Sequence, residues 1–179
     1  NDAVSLWDGK CEWYKDFRFI EERKLLVCKD SNPDTFDNKF FPKDPLKGTP
    51  LYDSKNPPFW NMLNQWYQPR DVFVVEIINP KEHPIGKRIY YVDQEMFVPY
   101  YGEEYDQRGE FWKWTEVDWV LFKEIFKNRP MYLLDMMWYR DFQNMHATAV
   151  PINARFVEQI NKDFPEGFFS KDTLLRMGR

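Results

Sequence analysis

The stretch from Asp71 to Glu116, DVFVVEIINPKEHPIGKRIYYVDQEMFVPYYGEEYDQRGEFWKWTE, constrains the chain most, because it alternates strand-forming runs with turns whose chemistry can be named. Val72 to Ile78 is β-branched and aromatic with one charge, Glu76, and stops at Asn79-Pro80, where proline has no N–H to give a ladder. The loop Lys81 to Gly86 turns the chain back into Lys87 to Val92, where Ile89 and Tyr91 share one face and Arg88 and Tyr90 the other. Asp93-Gln94-Glu95 reverses it again into Met96 to Tyr105, since an aspartate can accept from the backbone two residues on. Asp106-Gln107-Arg108-Gly109 fits a type I turn followed by a left-handed glycine and leads into Glu110 to Glu116. These spacings predict a four-stranded antiparallel meander on which the rest of the chain packs.

The flanks add weaker signals. Glu12 to Glu21 and Arg23 to Lys29 read as a further hairpin turning at the charged tetrad Glu21 to Lys24. Ser31 to Asn56, with four prolines, is a long loop of the kind that serves as a flap or a mobile edge. Pro57-Pro58 opens a short helix in which Phe59, Met62, Leu63 and Trp66 recur at helical spacing, ending before Pro69. Val117 to Lys127 matches both periods and is read as a continued strand. Met131 to Tyr139 reads as a buried strand and His146 to Val150 as a short last one. A helix from Asn153 to Ile160 and a final turn capped by Ser170 and closed by Gly178 end the chain.

Composition decides between sheet and bundle. Eight Trp, ten Tyr and 16 Phe bring large buried areas, while seven Gly leave little for close helix packing, so a mainly β (α+β) single domain over residues 1–179 is expected. The net charge of −4 with cations and anions interspersed lacks the basic stripe of a nucleic-acid binder. Apolar runs fall far short of the roughly 20 residues that cross a bilayer, so no transmembrane segment is expected. Cys11 and Cys28 can form a disulfide only where the environment oxidises, and a turn at Glu21 to Lys24 sets Cys28 beside Phe17 rather than Cys11.

Motifs for catalysis are missing: no Gly-x-Ser-x-Gly, no phosphate loop, no Cys-x-x-Cys and no His-Glu-x-x-His. A metal site or dyad drawn from His83 and His146 with Cys11 or Asp141 has no supporting spacing. His83 is read as an exposed loop residue and His146 as a structural one, so neither catalysis nor a cofactor is expected. Glu76, inside an apolar strand, must face solvent or meet a cation, and a hairpin centred near Glu82 sets it opposite Arg88. That pair is either an ion pair on an outer face or a polar anchor for a ligand headgroup. The doubled tyrosines put aromatic side chains on both faces: either a curved sheet lines a cavity, or tyrosines cover the solvent side with hydroxyls outward. In the first case Tyr90, Phe97, Trp112, Trp114, Met136 and Trp138 are the candidate lining, with Glu76 or Arg88 at the polar end.

The segment from Trp66 to Lys113 resembles the core signature of an exported bacterial family of unknown function related to the outer-membrane lipoprotein-sorting proteins. The matching residues are Arg70-Asp71-Val72-Phe73-Val74-Val75-Glu76, Lys87-Arg88 with Tyr90-Tyr91 and Asp93, and Tyr105-Asp106 with Arg108-Gly109 and Trp112. The ending, from Tyr139-Arg140-Asp141 through Asp163-Phe164-Pro165 to Ser170-Lys171-Asp172 and Gly178-Arg179, is similar too. The resemblance implies a strongly curved antiparallel sheet, an open half-barrel with helices in its mouth, in a chain that is either a truncated form or the C-terminal part of a longer architecture. It implies a non-enzymatic carrier, periplasmic or outer-membrane associated, for a lipid or a lipoprotein acyl chain. The alternative is an interaction module that docks on an envelope transport complex.

Overall fold

The computed structural model of the chain describes residues 13–31, 65–122, 131–151, 165 and 167–178. Within them seven strands form one antiparallel sheet whose spatial order is the sequence order: β1 (Asp16–Val27), β2 (Gln68–Ile78), β3 (Ile85–Asp93), β4 (Pro99–Asp106), β5 (Phe111–Phe122), β6 (Met131–Asp141) and β7 (His146–Pro151). β1 and β7 end the sheet, which is open. Among the described residues one helix of about two turns, α1 (Lys171–Met177), carries the Ser170 cap read from the sequence, its side chain accepting from the Thr173 N–H.

The meander forms because its turns are closed by their own side chains. Asp93 Oδ1 accepts from the N–H groups of Glu95 and Met96, each at 2.8 Å, and Asp106 Oδ1 from those of Arg108 and Glu110. Gly109 takes the left-handed conformation at φ 83°. β4 starts at Pro99 rather than Met96, since the aspartate turn consumes Met96 and Phe97 sits at φ 55°. The loop before β3 is tied down as well: Asn79 Nδ2 donates to Ile85 O at 2.9 Å and Gln107 Nε2 to Pro80 O at 3.0 Å. Its Gly86 passes so close to β4 that a Cβ there would lie 2.7 Å from the Asp106 carbonyl oxygen.

The predicted hairpin at Glu21 to Lys24 is corrected: β1 runs unbroken through those residues and pairs with β2 from Asp16↔Ile78 to Val27↔Gln68, with a bulge between Phe19 and Glu21. Four charges in a row suggested a turn, yet none of them is Gly, Pro, Asn or Asp, the residues that make one. On an edge strand such charges stay in water, where Arg23 pairs with Glu21 and Lys24 with Asp71. The strand reading of Val117 to Lys127 holds through Phe122, and the last two strands form as read, β6 running on to Asp141. Lys123 to Lys127, Cys11, the loop after Ser31, residues 57–64 of the helix opened by Pro57 and the helix from Asn153 to Ile160 lie outside the described residues, while Gln65 to Tyr67, where that first helix was expected to end, are not helical and lead into β2.

The sheet is rolled. Beyond β1 the chain reaches β5, four strands away: Trp119 N–H donates to Cys28 O at 3.1 Å, Ser31 N–H to Trp119 O at 2.8 Å, and Leu121 N–H to Asp30 Oδ1 at 3.0 Å. Tyr101 on β4 donates to Leu26 O at 2.6 Å. Flat strands spaced about 4.8 Å apart would leave β1 and β5 roughly 19 Å from each other. The roll therefore encloses one face, where Val27, Val72, Val74, Tyr91 and Tyr100 form a core against Leu25, Ile89, Met96, Tyr101 and Trp119.

Candidate functional site

Cross-strand partners place the side chains without ambiguity, because residues opposite each other in an antiparallel ladder share a face. Two rows cross the enclosed, concave face: Val74, Tyr91, Tyr101, Glu116, Trp138, and beside it Glu76, Ile89, Glu103, Trp114, Arg140. Two rows cross the convex face: Val75, Tyr90, Gly102, Thr115, Tyr139, and Ile77, Arg88, Glu104, Lys113, Asp141.

At the middle of the concave face three rings meet. Tyr91 and Tyr101 are edge-to-face with centroids 6.3 Å apart, Tyr101 and Trp114 are tilted at 5.2 Å, and Tyr91 and Trp114 at 6.4 Å. Every hydroxyl around this trio is turned into the protein. Tyr91 donates to Glu103 at 2.5 Å, Tyr105 to the other Glu103 oxygen, Tyr67 to Glu116 at 2.7 Å, and Tyr101 to the Leu26 carbonyl. The second Glu116 oxygen accepts from Arg140 at 2.8 Å. The reading that tyrosines hold their hydroxyls outward is thus overturned for these positions, and the surface they present is ring face.

Next to the trio lies a buried polar floor of Glu116, Asp118 and Cys28, with Gln65 Nε2 donating to Asp118 at 3.3 Å. Burial, then the charges of Glu116 and Asp135, push the Asp118 carboxyl well above the usual range. Burial first and Asp118 second do the same to the Cys28 thiol, and burial with Glu116 to the Tyr67 hydroxyl. Burial and the neighbouring charges thus favour the neutral form of all three groups. Among the described residues no His, Cys, Asp and Glu cluster could hold a metal ion.

The Protein of unknown function (DUF1329) family matches residues 1–174. The chain belongs to the DUF1329 family. The match spans the strings on which the resemblance rests except Gly178-Arg179. No curated protein matches the chain. A solved structure from Vibrio parahaemolyticus, described as an outer membrane lipoprotein-sorting protein domain, is similar over 59% of this chain and 42% of that one, at 19% identity and a TM-score of 0.38. The chain thus spans less than half the length of that structure.

In this DUF1329 chain the residues singled out in the sequence do not converge. Trp114, Met136, Trp138 and Glu76 are on the concave side, but Met136 and Trp138 are buried in the wall and only Trp114 is half-open among the three. Tyr90 is convex and buried, lying across Gly102, where a Cβ would meet its ring at 2.8 Å. Trp112 is the extra residue of a bulge between the Glu104↔Lys113 and Tyr105↔Phe111 pairs, with the Lys113 ammonium 4.3 Å above its ring. Phe97, in a loop and 71% exposed, stacks on Phe73.

The Glu76–Arg88 pair is corrected. The register is Glu76↔Ile89 and Ile77↔Arg88, one residue off the expected centre, and a slip of one sends the two charges to opposite faces. Glu76 meets Lys87 at 3.5 Å and Arg18 at 3.4 Å, while Arg88, fully buried, pairs with Glu104 at 3.1 Å. His83 is corrected from exposed to half-buried: its Nδ1 accepts from the Ile85 N–H at 3.0 Å and holds the loop. Asp141 gives both carboxylate oxygens to Asn144, which leaves the turn before His146 a structural one. Tyr101, Glu103 and Glu116 were missed, although their strict alternation with Tyr91 across the predicted hairpins was available as a signal.

Proposed function

We propose that this chain is a non-enzymatic carrier that holds a hydrophobic ligand, a lipid or a lipoprotein acyl chain, against the concave face of its sheet, in the periplasm or at the outer membrane. The observation that carries the reading is the Tyr91, Tyr101 and Trp114 trio. Its two hydroxyls are satisfied inside the protein, so an acyl chain laid across it meets ring faces rather than unpaired hydroxyls. The rolled sheet leaves Tyr101 and Trp114 partly exposed on this face, and each methylene buried against them is worth about 0.8 kcal/mol. Among the described residues no helix is long and apolar enough to cross a membrane. Native mass spectrometry of the purified protein, followed by organic extraction and lipid analysis, tests the reading. A stoichiometric lipid that is lost in Trp114→Ala supports it. A clean apo mass that stays clean after incubation with phospholipids and fatty acids sinks it.

The docking alternative has one observation in its favour. Phe17, Phe19 and Phe97 lie exposed on the convex side with Phe73 between them, Phe19 to Phe73 at 6.1 Å and Phe73 to Phe97 at 6.5 Å, at β1, the edge strand among the described residues. An apo protein whose partner capture is abolished by Phe19→Ser with Phe97→Ser would move the function to this surface.

A further inference from the structure

Past Val27 the chain leaves β1 and crosses to β5 and β6, where its bonds make the seam that closes the roll. Trp119 N–H donates to Cys28 O at 3.1 Å, Ser31 N–H to Trp119 O at 2.8 Å, Leu121 N–H to Asp30 Oδ1 at 3.0 Å, and the Ser31 hydroxyl to Asp135. A bulge delivers Asp135 to the seam, since it is the extra residue between the Asp118↔Met136 and Trp119↔Leu134 pairs. The seam differs from the rest of the interior in its charges. Among the described residues the buried carboxylates Asp93, Glu104 and Glu116 each meet an arginine: Arg70 at 2.8 Å, Arg88 at 3.1 Å and Arg140 at 2.8 Å. Asp118 and Asp135, equally buried, have neutral partners, the Gln65 amide at 3.3 Å and the Cys28 thiol for the first and the Ser31 hydroxyl for the second. The groups around them do not make up the difference. Glu116 on β5 and Asp30 before it in the seam add negative charge, Arg140 on β6 and the Tyr67 hydroxyl are bonded to Glu116, and the Lys29 ammonium lies over the Tyr132 ring at 5.1 Å. An amide, a thiol or a hydroxyl does not replace the water around an ionised carboxylate, so burial holds both aspartates above their usual range, Asp135 at about 6.

We propose that residues 28–31 are a proton-controlled latch on the rolled sheet: the seam stays shut while Asp118 and Asp135 carry their protons and opens more often once they ionise, because lifting the segment lets water reach both carboxylates. The closed form binds the extra protons, so opening is hardest in acid and becomes easier as pH rises toward about 6. The closed form remains the major one, and what changes is how often it opens. Leu26, whose carbonyl accepts from Tyr101 at 2.6 Å, stands two residues before the latch, so release also loosens the concave face at Tyr101. The latch belongs to the sheet and holds whether or not that face carries a ligand.

Amide hydrogen exchange of the whole chain, followed by NMR from pH 4 to pH 7 and corrected for the base catalysis of exchange, reads the latch at the Ser31, Trp119 and Leu121 N–H groups. Their opening should rise by about tenfold from pH 5 to pH 7, the ratio for a carboxyl at about 6 in the closed seam and at its ordinary 3.8 in the open one. It should also be insensitive to low urea, as local opening is, while the most protected amides of β3 and β4 respond to urea as global unfolding does. Asp118→Asn combined with Asp135→Asn, neutral at every pH, should flatten the rise. Opening that is constant between pH 5 and pH 7, or that shares the urea dependence of the β3 and β4 amides, overturns the latch, and a rise that survives the double substitution overturns the part given to the two aspartates. If the double variant does not fold, the carboxyl carbon resonances of the unaltered chain decide: two aspartates titrating above the usual range in step with the three amides support the latch, and none doing so overturns it.

Discussion

Asp93 ties the closed end of the sheet together, and replacing it by Asn measures how much of the stability rests there. The side chain is fully buried and accepts from five donors: Arg70 Nε at 2.8 Å, Arg70 Nη2 at 3.1 Å, the Glu95 and Met96 N–H groups at 2.8 Å, and the Tyr100 hydroxyl at 2.9 Å. Burial alone would raise its pKa. The Arg70 guanidinium, the two N–H groups and the Tyr100 hydroxyl outweigh it and hold the carboxyl at about 2, against an ordinary 3.8. That gap is worth about 2.4 kcal/mol at about 1.36 kcal/mol per pKa unit. Asn keeps the shape but turns an NH₂ against Arg70 or Tyr100, so the loss at pH 7 rises to about 3–5 kcal/mol, the usual result of breaking one side of a buried ion pair. Urea unfolding followed by tryptophan fluorescence should show a midpoint lower by about 1.5–2 M. The sign with pH follows from the depressed value: the stabilisation is complete above about pH 4 and is lost as pH falls toward about 2. At pH 3 about half of it remains, and the difference between the two proteins narrows by about 1 kcal/mol. Asp135, pushed by burial to about 6, moves stability the opposite way as pH falls, but it is common to both proteins and cancels in the difference. A difference under about 1 kcal/mol at pH 7, or one that is constant down to pH 3, refutes the assignment of Asp93 as the anchor.

Three other substitutions are directional. Gly86→Ala puts a Cβ 2.7 Å from a backbone oxygen and should lower stability by about 1–3 kcal/mol, whereas Gly109→Ala, with open space around it, bears only the left-handed backbone at about 1 kcal/mol; thermal melts in the reverse order would contradict the packing at Gly86. Phe97→Asn should raise stability by about 0.5–1 kcal/mol, since Asn tolerates φ 55° and the Phe ring is mostly in water; an unchanged or lower melting temperature means the stack on Phe73 outweighs the strain. In a Cys11→Ser background, Cys28 should resist Ellman's reagent at pH 8 in the native state and react in urea, because burial and the neighbouring carboxylates keep its thiol protonated; rapid native labelling would show that the polar floor is open to solvent.

The meander was legible because its information is local. Asp93, Asp106 and Gly109 each specify a turn within four residues, and the strands between them need only alternation. β1 was misread for the complementary reason. Its charges satisfy themselves against water and against Asp71, 47 positions away in a strand the local pattern does not mention, and local reasoning saw only a charged tetrad. The expected Glu76–Arg88 pair was lost by a single residue of register: with Glu76 opposite Ile89, the two charges stand on opposite faces, although the split of Ile89 and Tyr91 from Arg88 and Tyr90 holds. Trp112 and Tyr100 escaped alternation altogether, since each sits at a bulge that the sequence does not announce.

The same register has a consequence for what the concave face can hold. Arg88 is on the other side of the sheet, locked to Glu104, so it cannot anchor a ligand that lies on the trio. Glu76 is on the right side but already carries Arg18 and Lys87, and Glu103 and Glu116 have each of their oxygens occupied by tyrosine or arginine. The face therefore has many polar residues by composition and few polar atoms to offer. On the proposed carrier reading, an acyl chain lies on such a surface without selecting among headgroups, and a ligand that needs its charge neutralised finds the cations there engaged. Loading should accordingly depend on chain length, by about 0.8 kcal/mol for each methylene, and barely on salt. Fatty acids of increasing length titrated at low and high ionic strength separate the two cases: an affinity that falls steeply with salt and ignores chain length would place the recognition at a headgroup and away from the aromatic trio.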